Sequence, residues 1–137
     1  MLQRYEKFLK EILDPKLEKY FEEQCEFVKC KESCSSCCEV GEYPFSRLEL
    51  EYLMSGFVNL SFETKHIIKE EIKHLKREQP KMYKCPFLIN KMCCLYKYRG
   101  IVCRIHGLAW YDEVEYRIRL PYCVNKGLNY GSVFNRE

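Results

Sequence analysis

The chain has 137 residues, a formal net charge of +3 at pH 7 and ten cysteines. This length suits one domain with a modest apolar core, and no run of about eighteen apolar residues predicts a membrane span. Lys and Arg form no run of five or six residues, which argues against a nucleic-acid-binding protein.

The first part of the chain predicts two helices. Apolar residues recur at helical spacing over residues 2–13, which indicates one amphipathic helix. Asp14 followed by Pro15 is typical of the N-terminus of a second helix, because an Asp side chain can cap it and Pro loses no hydrogen bond there. We expect residues 1–29 to form a helical extension of a cysteine-cluster core over residues 30–125.

Two more helices are predicted in the middle of the chain. Ser46 and Glu49 form a capping-box pattern that opens a short helix, and Gly56 is a candidate left-handed terminator for it. Ser61 is the expected cap of a longer helix that runs to about residue 79, with Pro80 beyond its end.

The rest of the chain predicts two β-hairpins. Residues 83–89 and 93–98 surround Asn90-Lys91, which is a candidate turn. Residues 107–120 predict a second hairpin with Arg117 and Arg119 on one face, and we expect the tyrosines and Trp110 mostly to fill the core. The predicted fold is α+β, a single domain over residues 1–137 with N-terminal helices, small hairpins and loops held together by a cysteine-ligated metal site.

The ten cysteines are the most constraining feature of the composition. Thiolates are soft ligands that select zinc, copper(I) or iron–sulfur clusters. A disulfide scaffold is the alternative, but the charged first residues lack the apolar core of a signal peptide, so we expect a cytoplasmic, reduced protein. The Lys-, Glu- and Ile-rich composition with a single alanine is typical of thermophiles, whose intracellular proteins can carry disulfides.

The tight cysteine cluster over residues 30–38 predicts a metal-binding turn. Cys34 and Cys37 are separated by two residues, and this spacing lets both sulfurs reach one ion. The adjacent side chains of Cys37 and Cys38 are expected to diverge, so that they bind two ions or one remains a buried thiol.

Three motifs taken together resemble a known family. They are Cys30-x3-Cys34-x2-Cys37-Cys38, then Cys85-Pro-Phe-Leu with Cys93-x2-Tyr96, then Arg99-x3-Cys103-Arg104. Over roughly residues 27–125 the order and spacing are similar to the zinc- or iron-chelating cysteine-cluster (CxxCxxCC) family, which includes the domain of flagellin lysine N-methylase. That family usually has Arg-Pro where this chain has Arg99-Gly100.

The resemblance implies a zinc ion or an iron–sulfur cluster as cofactor. Eight cysteines match the family pattern and are the implied metal ligands: Cys30, Cys34, Cys37, Cys38, Cys85, Cys93, Cys103 and Cys123. Arg99 and Arg104 would donate hydrogen bonds beside the thiolates and offset their negative charge. Cys25 and Cys94 fall outside the pattern.

The sequence favours a metal-binding protein in which the metal has a structural, carrier or sensor role. It contains no catalytic triad, Walker loop or dinucleotide-binding turn. One alternative, implied by the resemblance, is an iron–sulfur enzyme or enzyme subunit related to protein lysine N-methylation, with a protein as substrate or partner. Another is an RNA or protein interaction module that uses Arg117 and Arg119 as exposed contacts.

Overall fold

The computed structural model describes residues 1–29, 35–39 and 43–134. The fold is α+β, as the sequence predicts, with helices and two small antiparallel hairpins. The chain forms two compact units, the first from residues 1–2 and 33–103 and the second from residues 3–32 and 104–137. Within the described ranges, no helix is both long and apolar enough to cross a bilayer. The single domain stays a prediction.

The N-terminal residues form one continuous helix instead of two. Helix α1 (Leu2–Phe8) passes through a π-helical segment (Leu9–Leu13) into α2 (Asp14–Glu23), and the joining residues keep helical geometry. The widened turn, in which the Asp14 N–H donates to the Leu9 carbonyl, lies directly before Pro15, which has no N–H to donate.

The prediction that Asp14 caps a new helix is therefore wrong. Asp14 lies inside the helix, and the residue that precedes α2 makes no side-chain cap. The Asp14 carboxylate instead accepts hydrogen bonds from the buried Arg104 Nη1, which lies 2.8 Å from each carboxylate oxygen. A charge-assisted contact to a buried guanidinium nitrogen is stronger than a neutral capping hydrogen bond, so Asp14 is held by Arg104.

Buried polar groups connect the segments of the second unit. Asn129, only 1% exposed, accepts the backbone N–H of Lys29 at 2.7 Å and donates to the carbonyl of Gly107 at 2.7 Å. The N–H of Tyr130 donates to the carbonyl of Phe27 at 2.7 Å, and the two rings stack with centroids 6.2 Å apart. The residues at 129–130 therefore bind both the chain that follows α2 and the loop at residue 107.

The second unit also contains the hairpin of β3 (Trp110–Asp112) and β4 (Arg117–Arg119), followed by a 3₁₀ turn (Tyr122–Lys126) and α7 (Gly131–Phe134). Trp110 is 54% exposed, so the expectation that it fills the core is wrong. Arg119 is paired with Asp112 at 3.0 Å, and Arg117 with Glu115 at 2.6 Å. Both arginines predicted as interaction residues thus already have carboxylate partners.

In the first unit, α3 (Ser36–Glu39) precedes α4 (Arg47–Phe57). The capping box is confirmed, because the Ser46 side chain accepts the Glu49 N–H and the Glu49 side chain accepts the Ser46 N–H. Gly56 as a left-handed terminator is wrong, since it lies within the helix. A Cβ at Gly56 would overlap the ring of Tyr98, so close packing explains the glycine.

Helix α5 (Phe62–Glu78) and the first hairpin follow local signals in the sequence. Ser61 accepts the N–H of Thr64, and α5 ends at Gln79 in the left-handed region with φ of 45°. Strands β1 (Leu88–Ile89) and β2 (Met92–Cys93) are shorter than predicted, but Asn90 and Lys91 form the turn with φ of 50° and 61°. Positive φ at both positions is the mark of a type I′ turn.

The buried network at Asn129 gives a first prediction. Replacing Asn129 with Ala leaves the N–H of Lys29 and the buried carbonyl of Gly107 without these partners, which should lower the free energy of unfolding by about 2–3 kcal/mol. Urea denaturation followed by the fluorescence of Trp110, the only tryptophan, measures this. The exposed Asn125→Ala is the matched control and should change stability by less than about 0.5 kcal/mol. Equal losses in both variants would contradict the role of Asn129.

Candidate metal centre

The first hairpin presents two cysteine sulfurs that accept backbone hydrogen bonds. The amides of Phe87 and Leu88 donate to the Cys85 sulfur, and the amide of Leu95 donates to the Cys93 sulfur. Pairing of Leu88 with Cys93 holds the two turns side by side. Hydrogen bonds of this kind favour a thiolate over a thiol, which is the state that a metal ligand needs.

The short helix α3 brings two more sulfurs to the start of this hairpin. The Cys38 carbonyl accepts the N–H of Cys85 at 2.7 Å, and the Cys37 carbonyl accepts the hydroxyl of Tyr43 at 2.9 Å. The Sγ atoms of Cys37 and Cys38 are 4.0 Å apart, so the expectation that these side chains diverge is wrong. Four sulfurs about 2.3 Å from a tetrahedral zinc ion would be separated by about 3.8 Å, close to this spacing.

Cys103 lies in α6 (Ile101–Ile105), whose N-terminus is capped by a residue far away in the sequence. The Glu49 carboxylate accepts the Ile101 N–H at 2.8 Å, so one buried side chain closes the capping box of α4 and also caps α6. Gly100, which precedes α6, packs on the ring of Phe45, and a Cβ there would overlap that ring. Close packing therefore explains the glycine at this position.

Five sulfurs of the first unit lie close enough to influence one another electrostatically. We call them the thiol cluster: Cys37, Cys38, Cys85, Cys93 and Cys103. Burial, together with the charges of Cys85, Cys37 and Cys93, raises the pKa of Cys103 to about 12. Burial is also the main cause of the raised pKa of Cys85 and of Cys93.

The adjacent pair behaves differently from the other three thiols. The hydrogen bond with Cys38 lowers the pKa of Cys37 to about 7 although burial opposes this, and the charge of Arg99 acts in the same direction. The same hydrogen bond raises the pKa of Cys38, and burial adds to the rise. One proton shared between two close sulfurs explains the opposite shifts.

The two arginines predicted beside the thiolates lie in different units. Arg99 is in the first unit, where its charge lowers the pKa of Cys37, Cys93 and Cys103. Its Nε donates to the Tyr96 carbonyl at 2.8 Å, and its Cζ lies 3.6 Å from the centroid of the Tyr96 ring. Arg104 is in the second unit with Asp14, and its predicted place beside the thiolates stays a prediction.

The other predicted ligands are distributed as follows. Cys30 and Cys34 lie outside the described residues. Cys123 is buried in the second unit. Cys94, which the sequence pattern leaves out, raises the pKa of both Cys85 and Cys93 and so lies beside the thiol cluster. Its position next to Cys93 in the sequence is the one feature that could have predicted this. Among the side chains that can be described, no three His, Cys, Asp or Glu are arranged as ready ligands of one ion.

No family model, curated protein or solved structure matches this chain. The resemblance to the cysteine-cluster family therefore rests on the motifs alone and stays a prediction.

The double role of Glu49 gives a prediction on pH. Burial by itself would raise the pKa of Glu49, but hydrogen bonds from Ser46 and from the Ile101 N–H hold it below its ordinary value. The ionised carboxylate therefore stabilises the fold fully above the ordinary Glu pKa of about 4.3, and this contribution is lost as pH falls through the lower folded pKa. Glu49→Gln should cost about 2 kcal/mol at pH 7, and its deficit relative to the wild type should shrink between about pH 5 and 3.

Unfolding of both proteins in urea across this pH range measures the deficit. The exposed Glu51 on the same helix, which is paired with the exposed Arg47 in an i, i+4 contact, provides the control. Glu51→Gln should cost less than about 0.5 kcal/mol at every pH. A deficit for Glu49→Gln that stays constant down to pH 3 would contradict the assigned role of the carboxylate.

Proposed function

We propose that the protein binds a thiophilic metal, as a zinc ion or an iron–sulfur cluster, through the thiol cluster of the first unit. The observation that carries this proposal is the convergence of five sulfurs from three separate segments, α3, the first hairpin and α6. Cys30, Cys34 and Cys123 are proposed as further ligands on the basis of the sequence pattern.

The electrostatics of the thiol cluster supports a cation as its occupant. Burial and mutual repulsion oppose the ionisation of Cys85, Cys93 and Cys103, whereas amide donors at Cys85 and Cys93 favour it. A divalent cation would remove the repulsion and keep the benefit of the amide donors. Soft thiolate donors fit zinc or an iron–sulfur cluster and do not fit magnesium or calcium.

The proposed role of the metal is structural, carrier or sensor. An ion that is enclosed by cysteine ligands has no open coordination position, and it therefore contributes folding energy rather than Lewis-acid catalysis. Arg99 would offset part of the negative charge of the bound thiolates, and Arg104 is proposed for the same task.

Purification without oxygen, followed by elemental analysis and an absorption spectrum, tests the proposal directly. We expect either stoichiometric zinc in a colourless protein, or iron and inorganic sulfide in a brown protein with broad visible absorption. The two results identify the metal. A protein that contains neither metal, and that takes up neither zinc nor a reconstituted cluster, would overturn the proposal.

Substitutions of cysteine then test the ligand assignment. Cys85→Ser and Cys103→Ser should each lower the metal content several-fold, because Ser oxygen is a poor replacement for a soft thiolate ligand. The exposed Cys25 of the second unit provides the control, and Cys25→Ser should keep the wild-type content. Full metal content in both cluster variants would show that these sulfurs are not ligands, and Trp110 fluorescence would report whether the second unit still folds.

A further inference from the structure

The second unit contains an open cleft of about 380 Å³ that the metal proposal does not involve. Four aromatic rings line it, those of Tyr20, Trp110, Tyr111 and Tyr130, together with the carboxylate-bearing Glu23. This volume lies in the range of small-molecule binding sites, and a lining of rings with one charged group is typical of them.

Tyr130 gives the cleft a fixed wall before any ligand binds. It is only 5% exposed, and its hydroxyl accepts the N–H of Ala109 and donates to the side-chain oxygen of Gln24, each at 3.1 Å. Its ring stacks on Phe27, and its backbone has a φ of 58°, which is rare for a bulky residue. A strained conformation held by this many contacts indicates a position where the orientation of the ring matters.

The other three rings are left open to solvent. Trp110 is 54% exposed, Tyr111 57% and Tyr20 41%. Aromatic side chains normally contribute to stability by burying their area, so three of them gathered unburied around one cleft are better explained by a ligand that covers them.

The charged groups that line the cleft indicate whether its ligand is a cation or an anion. Among the described residues that line it, Glu23 carries the only charge, and no Lys, Arg or His is present. Glu23 is paired with Lys19 at 3.8 Å, and because both side chains are more than half exposed this pair is weak. Aromatic faces carry negative potential, so the rings and the carboxylate together favour a cation.

From this lining we infer that the cleft binds an organic cation with an alkylated ammonium group. Alkyl groups on nitrogen spread the positive charge over an apolar surface. Because such a cation holds its water weakly, it can lie against aromatic rings at a small desolvation cost. An inorganic cation would keep its water, and an anion would be repelled by Glu23. The inference depends on the second unit alone and stands or falls independently of the metal site.

The test compares choline with 3,3-dimethyl-1-butanol, its neutral carbon isostere of the same shape. Trp110 lines the cleft and is the only tryptophan, so its fluorescence reports occupancy without a label. At matched ionic strength we expect a saturable change with choline and binding of the neutral isostere that is weaker by about tenfold. Equal affinity for the two probes, or no saturable response to choline, would overturn the inference.

Two pairs of variants locate the binding on the cleft. Glu23→Gln should weaken choline binding about fivefold and leave the neutral isostere unaffected, whereas the exposed Glu18→Gln on the same helix should change neither. Tyr111→Leu should weaken choline binding, and Tyr116→Leu, at an 81% exposed position of the same hairpin that does not line the cleft, should not. Choline binding that survives both Glu23→Gln and Tyr111→Leu unchanged would exclude the cleft as its site.

Discussion

Five sulfurs that lie near one another in a half-buried region repel one another when they are ionised, and the charge of Arg99 offsets only part of that cost. Each ionised thiol raises the cost of ionising the next, and burial adds to that cost, which is why the pKa of Cys103 rises to about 12. Neutral thiols, however, form only weak hydrogen bonds and add little cohesion. The thiols of the cluster therefore add little to the stability of the first unit unless the proposed metal binds them.

Backbone hydrogen bonds position these sulfurs, but the helices and strands that carry them are very short. The α3 helix has four residues and the strands of the first hairpin have two each. A hydrogen bond from the Cys85 N–H to the Cys38 carbonyl links the helix to the hairpin. Elements this short are marginal on their own, because nucleation entropy is not repaid by a few hydrogen bonds. A metal that joined them would supply the missing free energy, as it does in other small cysteine-rich sites.

Features set by neighbouring residues could be predicted from the sequence, and features set by distant ones could not. The capping box at Ser46 and the turn at Asn90-Lys91 depend only on local hydrogen bonds and dihedral angles, and both are confirmed. Asp14 and Gly56 carry equally good local signals, but distant residues decide their roles. Asp14 binds the buried Arg104, ninety residues away, and Gly56 packs against the ring of Tyr98. In the candidate site, the grouping of the cysteines stays a prediction: Cys94, which the pattern leaves out, lies beside the thiol cluster, and Cys123, which the pattern includes, lies in the second unit. The contact between the adjacent sulfurs of Cys37 and Cys38 depends on rotamers that spacing does not determine.

The residues that line the cleft were even harder to predict from the sequence than the thiol cluster. Eleven tyrosines are spread along the chain, and nothing local distinguishes the three that line the cleft from the rest. For Tyr130, the deciding contacts are distant ones: the buried amide of Asn129 ties the chain after α2 to the loop at Gly107, and the neighbouring Tyr130 ring stacks on Phe27. Satisfied neutral hydrogen bonds and stacking are enough to build that wall, and no added ion is required for it. The thiol cluster, in contrast, concentrates groups that repel one another when charged, and the proposed metal would remove that repulsion.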